Sequence, residues 1–145
     1  MAAFSVKVKK LNPAAKLPAY AHPAEEGELG ADLYALGADR LEAGQIKMVC
    51  TGIALELPAG YGALVEDRSG LATRGVCTLG GVIDSGYRGE IKVIMANFGA
   101  QPYEMAAGDR IAQLRLTQCL PAVFCEVEEL AASTRGEGGF GSTGR

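Results

Sequence analysis

The sequence predicts an all-β domain, a sandwich or barrel of short strands. Three observations carry that expectation. Several short runs alternate apolar and polar residues with a period of two, Gly- and Pro-containing turns separate them, and one stretch alone has the punctuation of a helix. At 145 residues the chain is long enough for a single core, and its 48% hydrophobic and 21% charged content is ordinary globular usage.

The elements follow in order. FSVKVKK alternates from Phe4 as a half-buried strand does. In QIKMVCTGIALEL, Ile46 and Met48 alternate in the first half and Ile53, Leu55 and Leu57 in the second. The break at Thr51-Gly52 predicts a bulge or bend in that strand. YGALVE, EIKVIMANF, RIAQLRL and AVFCEVEEL are further candidate strands. Turns at Pro58-Ala59-Gly60, Gly99-Ala100-Gln101-Pro102, Ala107-Gly108-Asp109 and Leu120-Pro121 separate them. DRSGLATRG breaks the pattern: Ser69 is expected to cap a short helical turn through Leu71, Ala72 and Thr73, ended by Gly75. No internal repeat or second domain is visible, and composition shifts only in the tail from about Ser133.

Charge and composition exclude several functions. A net charge of −3 argues against general nucleic-acid binding, which shows a basic excess or stripe. No apolar run approaches the roughly 18 residues of a membrane span, and MAAFSVKVKK has no apolar region of signal-peptide length. A soluble, cytoplasmic protein is expected. Cysteines 50, 77, 119 and 125 show no CxxC spacing and fall in apolar segments, so they are expected as small buried hydrophobes. His22 is the only histidine and lies in the loop-like AYAHPAEEGE, leaving carboxylates, arginines, hydroxyls and backbone for any chemistry.

Five stretches are over-specified for loops. In LGADLYA, Asp32 stands among apolar residues, where it caps a turn, pairs with an arginine or serves a site. In EDRSGLATRG, Arg68 and Ser69 stand where the helical turn begins, suited to phosphate but also common around ordinary caps. In TLGGVIDSGYRGEIKV, Gly80-Gly81 permits close backbone approach, Val82-Ile83 forms an apolar wall, and Asp84 and Tyr87 flank a turn at Gly86. Such a hairpin can hold a planar ligand or can simply end in a solvated turn. In AAGDRIAQLRL, a strand puts Gln113 and Arg115 opposite Leu114 and Leu116, so that Gln113 satisfies buried backbone or meets a ligand. The tail RGEGGFGSTGR has too little apolar surface to order itself, yet carries Phe140, Arg135 and Ser142-Thr143.

In this order, GADLYA, DRSGLATRG, GGVIDSGYRGEI, GDRIAQL and RGEGGFGSTG resemble the five motifs of the trimeric dUTP diphosphatases (dUTPases). The resemblance implies a distorted jelly-roll β-barrel at residues 1–132, a Gly-rich arm at 133–145, and a homotrimer. Each active site is then shared: one chain supplies the second and fourth motifs, a neighbour the third, and the third chain its arm. The implied reaction converts dUTP to dUMP and pyrophosphate, with Asp84 as base for a water attacking the α-phosphorus. Mg²⁺ is implied as cofactor on the triphosphate oxygens, with Asp32 acting on it through water or holding an arginine.

By the same resemblance, Arg68, Ser69, Gly70 and Gln113 bind phosphate. The backbone around Leu79, Gly81 and Val82 reads uracil and is unpaired or repulsive against cytosine. Tyr87 underlies the deoxyribose and leaves no room for a 2′-hydroxyl. Phe140 stacks on the base, Arg135 meets the terminal phosphates, and Gly141, Ser142 and Thr143 close over the site. Two positions depart from the family pattern. Asp67 stands where many members have proline before Arg-Ser-Gly, and is expected to point away from the phosphates. Thr78 stands where several have an asparagine that helps read uracil. A dCTP deaminase shares the fold but needs a different base-reading hairpin and normally lacks such a tail, which also disfavours a bifunctional deaminase-diphosphatase. A catalytically silent nucleotide-binding module has no need for Asp84, Gln113, Arg135 and Phe140 together.

Overall fold

The computed structural model describes residues 5–22 and 27–140. Its first strands are β1 (Lys7–Lys10), β2 (Gly30–Tyr34), β3 (Asp39–Leu41), β4 (Ile46–Glu56) and β5 (Tyr61–Glu66). The short helix α1 (Ser69–Ala72) follows, then β6 (Val76–Leu79), β7 (Val82–Ile83), β8 (Glu90–Asn97), β9 (Tyr103–Met105) and β10 (Arg110–Gln118). Two four-stranded antiparallel sheets, in the orders β1-β4-β8-β6 and β2-β10-β5-β7, hold most of the fold, with β3-β9 as a small third sheet. The fold is all-β and jelly-roll-like, as expected; among the described residues the strand pairing does not close into a continuous barrel.

The period-two pattern builds the core. Ile91, Val93 and Met95 of β8 face inward with Ile53 and Leu55 of β4, and they join Leu33, Ala63, Val65, Ile111 and Leu114 of the other sheet in one cluster. Leu114 is buried while Gln113 and Arg115 are only partly so, the predicted division of faces along β10.

The bulge expected at Thr51-Gly52 is present. Pairing of β4 with β8 shifts between Cys50↔Lys92 and Ala54↔Glu90, so four steps along β4 match two along β8. The released backbone is satisfied locally: Gly52 N donates to Glu90 Oε1 at 2.9 Å, and the Thr51 hydroxyl donates to the Ile91 carbonyl. Gly52 sits at φ +72, and a Cβ there would lie 2.9 Å from Leu36 Cδ1. Strained φ and overpacking act together in Gly52→Ala, for which about 2–4 kcal/mol of destabilisation is expected in urea unfolding.

Several local expectations are corrected. AVFCEVEEL is not a paired strand: residues 119–130 run without strand partners, with Val123, Phe124 and Leu130 almost wholly exposed. Its alternation is that of a strand, but it pairs with no strand among the described residues. Cys50, Cys119 and Cys125 are exposed and Cys77 is half-buried, all four as free thiols, because each lies on an outward face or in that unpaired segment. Ser69 does not cap α1. Arg68 occupies the N-cap in an extended conformation (φ −93, ψ 126), and its carbonyl accepts from Leu71 and Ala72, which places Ser69 inside the first turn. Gly75, at φ +82, follows the turn as expected.

Candidate active site

The segment expected as a hairpin is a corner instead. β6 pairs with β8 in one sheet, and β7 pairs with β5 in the other, so the chain changes sheets across Gly80-Gly81. Both glycines are in the left-handed region, at φ +65 and +94. A Cβ on Gly81 would come 2.6 Å from the Val65 carbonyl oxygen, and the Gly81 carbonyl accepts from Val65 N at 2.8 Å. Backbone thus forms one wall of a cavity of about 460 Å³, with Met48, Leu79, Val82, Ile83 and Ile94 as apolar lining and Asp84, Tyr87, Glu90 and Lys92 as its polar lining.

Asp84 opens a turn closed by Tyr87 N donating to the Asp84 carbonyl at 3.1 Å. Its side chain is exposed and makes no hydrogen bond or ion pair among the described residues. Tyr87 is fixed by its hydroxyl, which donates to the Glu90 carbonyl at 3.0 Å, and its ring lies over Gly89. A carboxylate with free lone pairs lining a largely apolar cavity can accept a proton from a water held there.

A second, polar cavity of about 190 Å³ is bordered by Glu28, Asp32, Arg68, Ser69, Gly70 and Gln113. Strand β2 buries Asp32, only 8% exposed, with both carboxylate oxygens engaged. Oδ1 accepts from Arg68 Nε at 3.0 Å and Oδ2 faces Arg110 Nη1 at 3.4 Å. The pairing with arginine, one of the readings open from the sequence, is therefore what Asp32 does here, and it orients the Arg68 guanidinium. Arg110 is a site residue that sequence reasoning misses; its sequence signal is its place in GDRIAQL, and β10 sets it opposite Tyr34, two residues from Asp32 on β2. Gln113 Nε2 donates to the Asp67 carbonyl at 2.6 Å, and its side chain lies over Gly30.

Next to this cavity Arg115 is already paired with Glu66 through both Nε and Nη2, at 2.7 to 3.1 Å. The Arg115 hydrogen bonds hold the Glu66 carboxyl below its ordinary range. Asp67 points away from the cavity: its Oδ1 accepts from both the amide and the hydroxyl of Thr78, the latter at 2.8 Å.

The two cavities share no lining residue. In one chain, Asp84, Leu79, Gly81, Val82 and Tyr87 are brought together, and Arg68, Ser69, Gly70, Gln113 and Asp32 are brought together, but the groups remain separate. Of the tail, Arg135 Nε donates to the Gly138 carbonyl at 2.8 Å and Phe140 is fully exposed. Gly141, Ser142 and Thr143 lie outside the described residues. Among the described residues, no group of three or more His, Cys, Asp or Glu is placed to hold a metal.

One apolar, backbone-walled cavity and one arginine-bordered polar cavity on a jelly-roll-like fold suit a ligand that is planar at one end and anionic at the other, the class of nucleotide-binding β proteins. Comparison with known proteins narrows it. Residues 18–144 match the dUTPase family. The chain is 47% identical over 144 residues to a deoxyuridine 5′-triphosphate nucleotidohydrolase of Solibacter usitatus, covering 97% of this chain and 96% of that one. It is 48% identical over 143 residues to the protein of that name from Thermobifida fusca, covering 96% of this chain and 78% of the other. The solved dUTPase of Staphylococcus bacteriophage 80alpha with dUPNHPP superposes with a TM-score of 0.88 at 26% identity, over 97% of this chain and 99% of that one. A dUTPase from phage phi11 of S. aureus, described with a structural Mg(II) ion, has the same fold with a TM-score of 0.78 at 22% identity, over 87% and 98% of the two chains. The chain belongs to the dUTPase family, and its enzyme class is dUTP diphosphatase.

Proposed function

We propose that the protein hydrolyses dUTP to dUMP and pyrophosphate at sites assembled between the chains of a homotrimer. The observation that carries the shared site is the separation of the two cavities. Asp84 and the corner line one, the arginine and glutamine line another with no residue in common, and a second chain supplying one of the sets would let a single substrate meet both. The exposed segment from Leu120 to Leu130 also supports assembly, since its strand-like alternation has no strand partner among the described residues.

In this reading uracil enters the larger cavity against the backbone of Leu79, Gly81 and Val82, with the deoxyribose against Tyr87. The neighbour's Arg68, Ser69, Gly70 and Gln113 take the phosphates. Asp32 fixes the guanidinium fork before substrate arrives, so little reorganisation is needed. Asp84 takes a proton from a water whose oxygen then bonds to the α-phosphorus, while the bond from that phosphorus to the bridging oxygen breaks and pyrophosphate leaves. Arg135, Phe140, Gly141, Ser142 and Thr143 of the third chain, in the Gly-rich arm that follows the β domain, cover the nucleotide and exclude water.

The residues present fit Mg²⁺ carried mainly by substrate oxygens and water, since Asp32 and Glu28 border the polar cavity without forming a cage. An ion bound there would neutralise triphosphate charge, and Asp32, which holds Arg68 and Arg110, would reach it only through water. The hydrolysis removes dUTP before it reaches DNA and provides dUMP for dTMP synthesis. The proposed compartment is the cytoplasm, where thiols stay reduced, in keeping with four free cysteines. No helix among the described residues is long and apolar enough to cross a membrane.

The test follows pyrophosphate and ammonia after mixing the protein with dUTP, dCTP or UTP and Mg²⁺. Pyrophosphate from dUTP alone is expected; ammonia from dCTP, or no pyrophosphate from dUTP, overturns the reading. A local prediction attaches to Gly30, where an added Cβ would lie 2.8 Å from Gln113 Cδ. Gly30→Ala should displace Gln113 and lower kcat/KM for dUTP by about ten- to a hundredfold, the loss typical of a misplaced positioning group.

A further inference from the structure

The two positions that depart from the family pattern are bonded to each other, and their partnership reaches both halves of the site. We propose that Asp67 is a positioning residue whose carboxylate latches the edge of β6 and so holds the base-reading corner in place.

β6 is the edge strand of its sheet, so its outward amides have no strand partner. Asp67 captures the Thr78 amide on that edge and takes the Thr78 hydroxyl as well. Leu79 follows immediately, and the chain then passes through two left-handed glycines that resist little motion. Beyond Gly80, the Gly81 carbonyl on Val65 N and the two-residue strand β7 tie the corner to the other sheet. The latch is therefore the last side-chain anchor before the corner. Asp67 is itself anchored, because its carbonyl accepts from Gln113 Nε2 and the next residue, Arg68, is held by Asp32. One residue thus ties the corner of one cavity to the arginine and glutamine of the other. The arrangement also turns a carboxylate away from an anion-binding cavity and gives it two donors.

The consequence for catalysis rests on the reading of the corner as the uracil-binding element, so the test has a readout independent of it. In the full chain, Asp67→Ala is expected to speed amide hydrogen exchange at residues 78–83 while the β8 core amides stay protected. With dUTP, KM should rise about fivefold with kcat changed less than twofold, and the preference for dUTP over dCTP should narrow. Thr78→Val should move both readouts in the same direction by less, and Thr78→Ser, which keeps both donors, should match the unaltered protein. The double variant Asp67→Ala/Thr78→Val should be no worse than Asp67→Ala. Unchanged exchange at the corner overturns the latch. Faster exchange with unchanged KM and base preference overturns its role in binding. Independent, multiplying effects of the two substitutions overturn the pairing. Should Asp67→Ala not fold, Thr78→Val against Thr78→Ser decides by the same exchange and KM readouts. An unaltered chain inactive on dUTP counts against the proposed function instead, and the exchange result still decides the latch.

Discussion

Asp84→Asn is expected to bind dUTP with nearly unchanged affinity and to hydrolyse it roughly 10²–10⁴-fold more slowly, the range for loss of a positioned general base. The substitution keeps size and shape and removes basicity. It should not disturb the fold, because the Asp84 side chain is exposed and makes no hydrogen bond or ion pair among the described residues. What holds the position is backbone: the Tyr87 amide on the Asp84 carbonyl and the two-residue strand just before it. Calorimetric titration with dUTP, alongside pyrophosphate release at saturation, separates the two effects. Turnover near that of the unaltered protein would remove Asp84 from the base role.

Truncation before Arg135 carries the second large effect. The buried apolar core runs from Ala15 to Leu114, and nothing from residue 119 to 140 is buried except in part at the tail turn. Among the described residues, 135–140 contribute nothing to the buried core, so deleting 135–145 should shift the melting temperature by less than about 2 °C, as for a change outside the packed fold. Hydrolysis should fall by about a hundredfold or more, because the arm is proposed to supply Phe140, Arg135 and the closing backbone. Paired melting and pyrophosphate measurements read this directly. Full activity in the shortened chain defeats the closing role.

How far the sequence could be read depended on where each signal came from. The alternation in EIKVIMANF and RIAQLRL is produced by burial within one chain, so the strands and their inward faces were legible. The Thr51-Gly52 bulge was legible because glycine at φ +72 leaves a break in the period. The same alternation misled at Val123–Leu130, where a strand-like segment finds no sheet in its own chain. Periodicity marks a face suited to burial and does not say what, if anything, covers it. The glycine pair at 80 and 81 signalled close approach but not its geometry; a change of sheet looks like a hairpin in sequence because both need positive φ. A pairing of Asp32 with an arginine was one of several readings its sequence position left open, whereas Arg110 and the Asp67–Thr78 contact depend on registry between segments far apart in the chain. The short β2, β3 and β9 lacked enough residues for a period to show.

The central claim is that Asp84 of one chain acts on phosphates held by Arg68 of another, and complementation tests it most directly. Asp84→Asn and Arg68→Ala are each expected to be almost inactive as pure assemblies. Unfolded together, refolded as a mixture and measured for pyrophosphate release from dUTP, they should regain activity, because about one site in three of each mixed trimer receives both intact groups. The regained rate should be greatest at equal proportions and vanish when the two variants are refolded apart and combined afterwards. A mixture no more active than its components would contradict a site shared between chains.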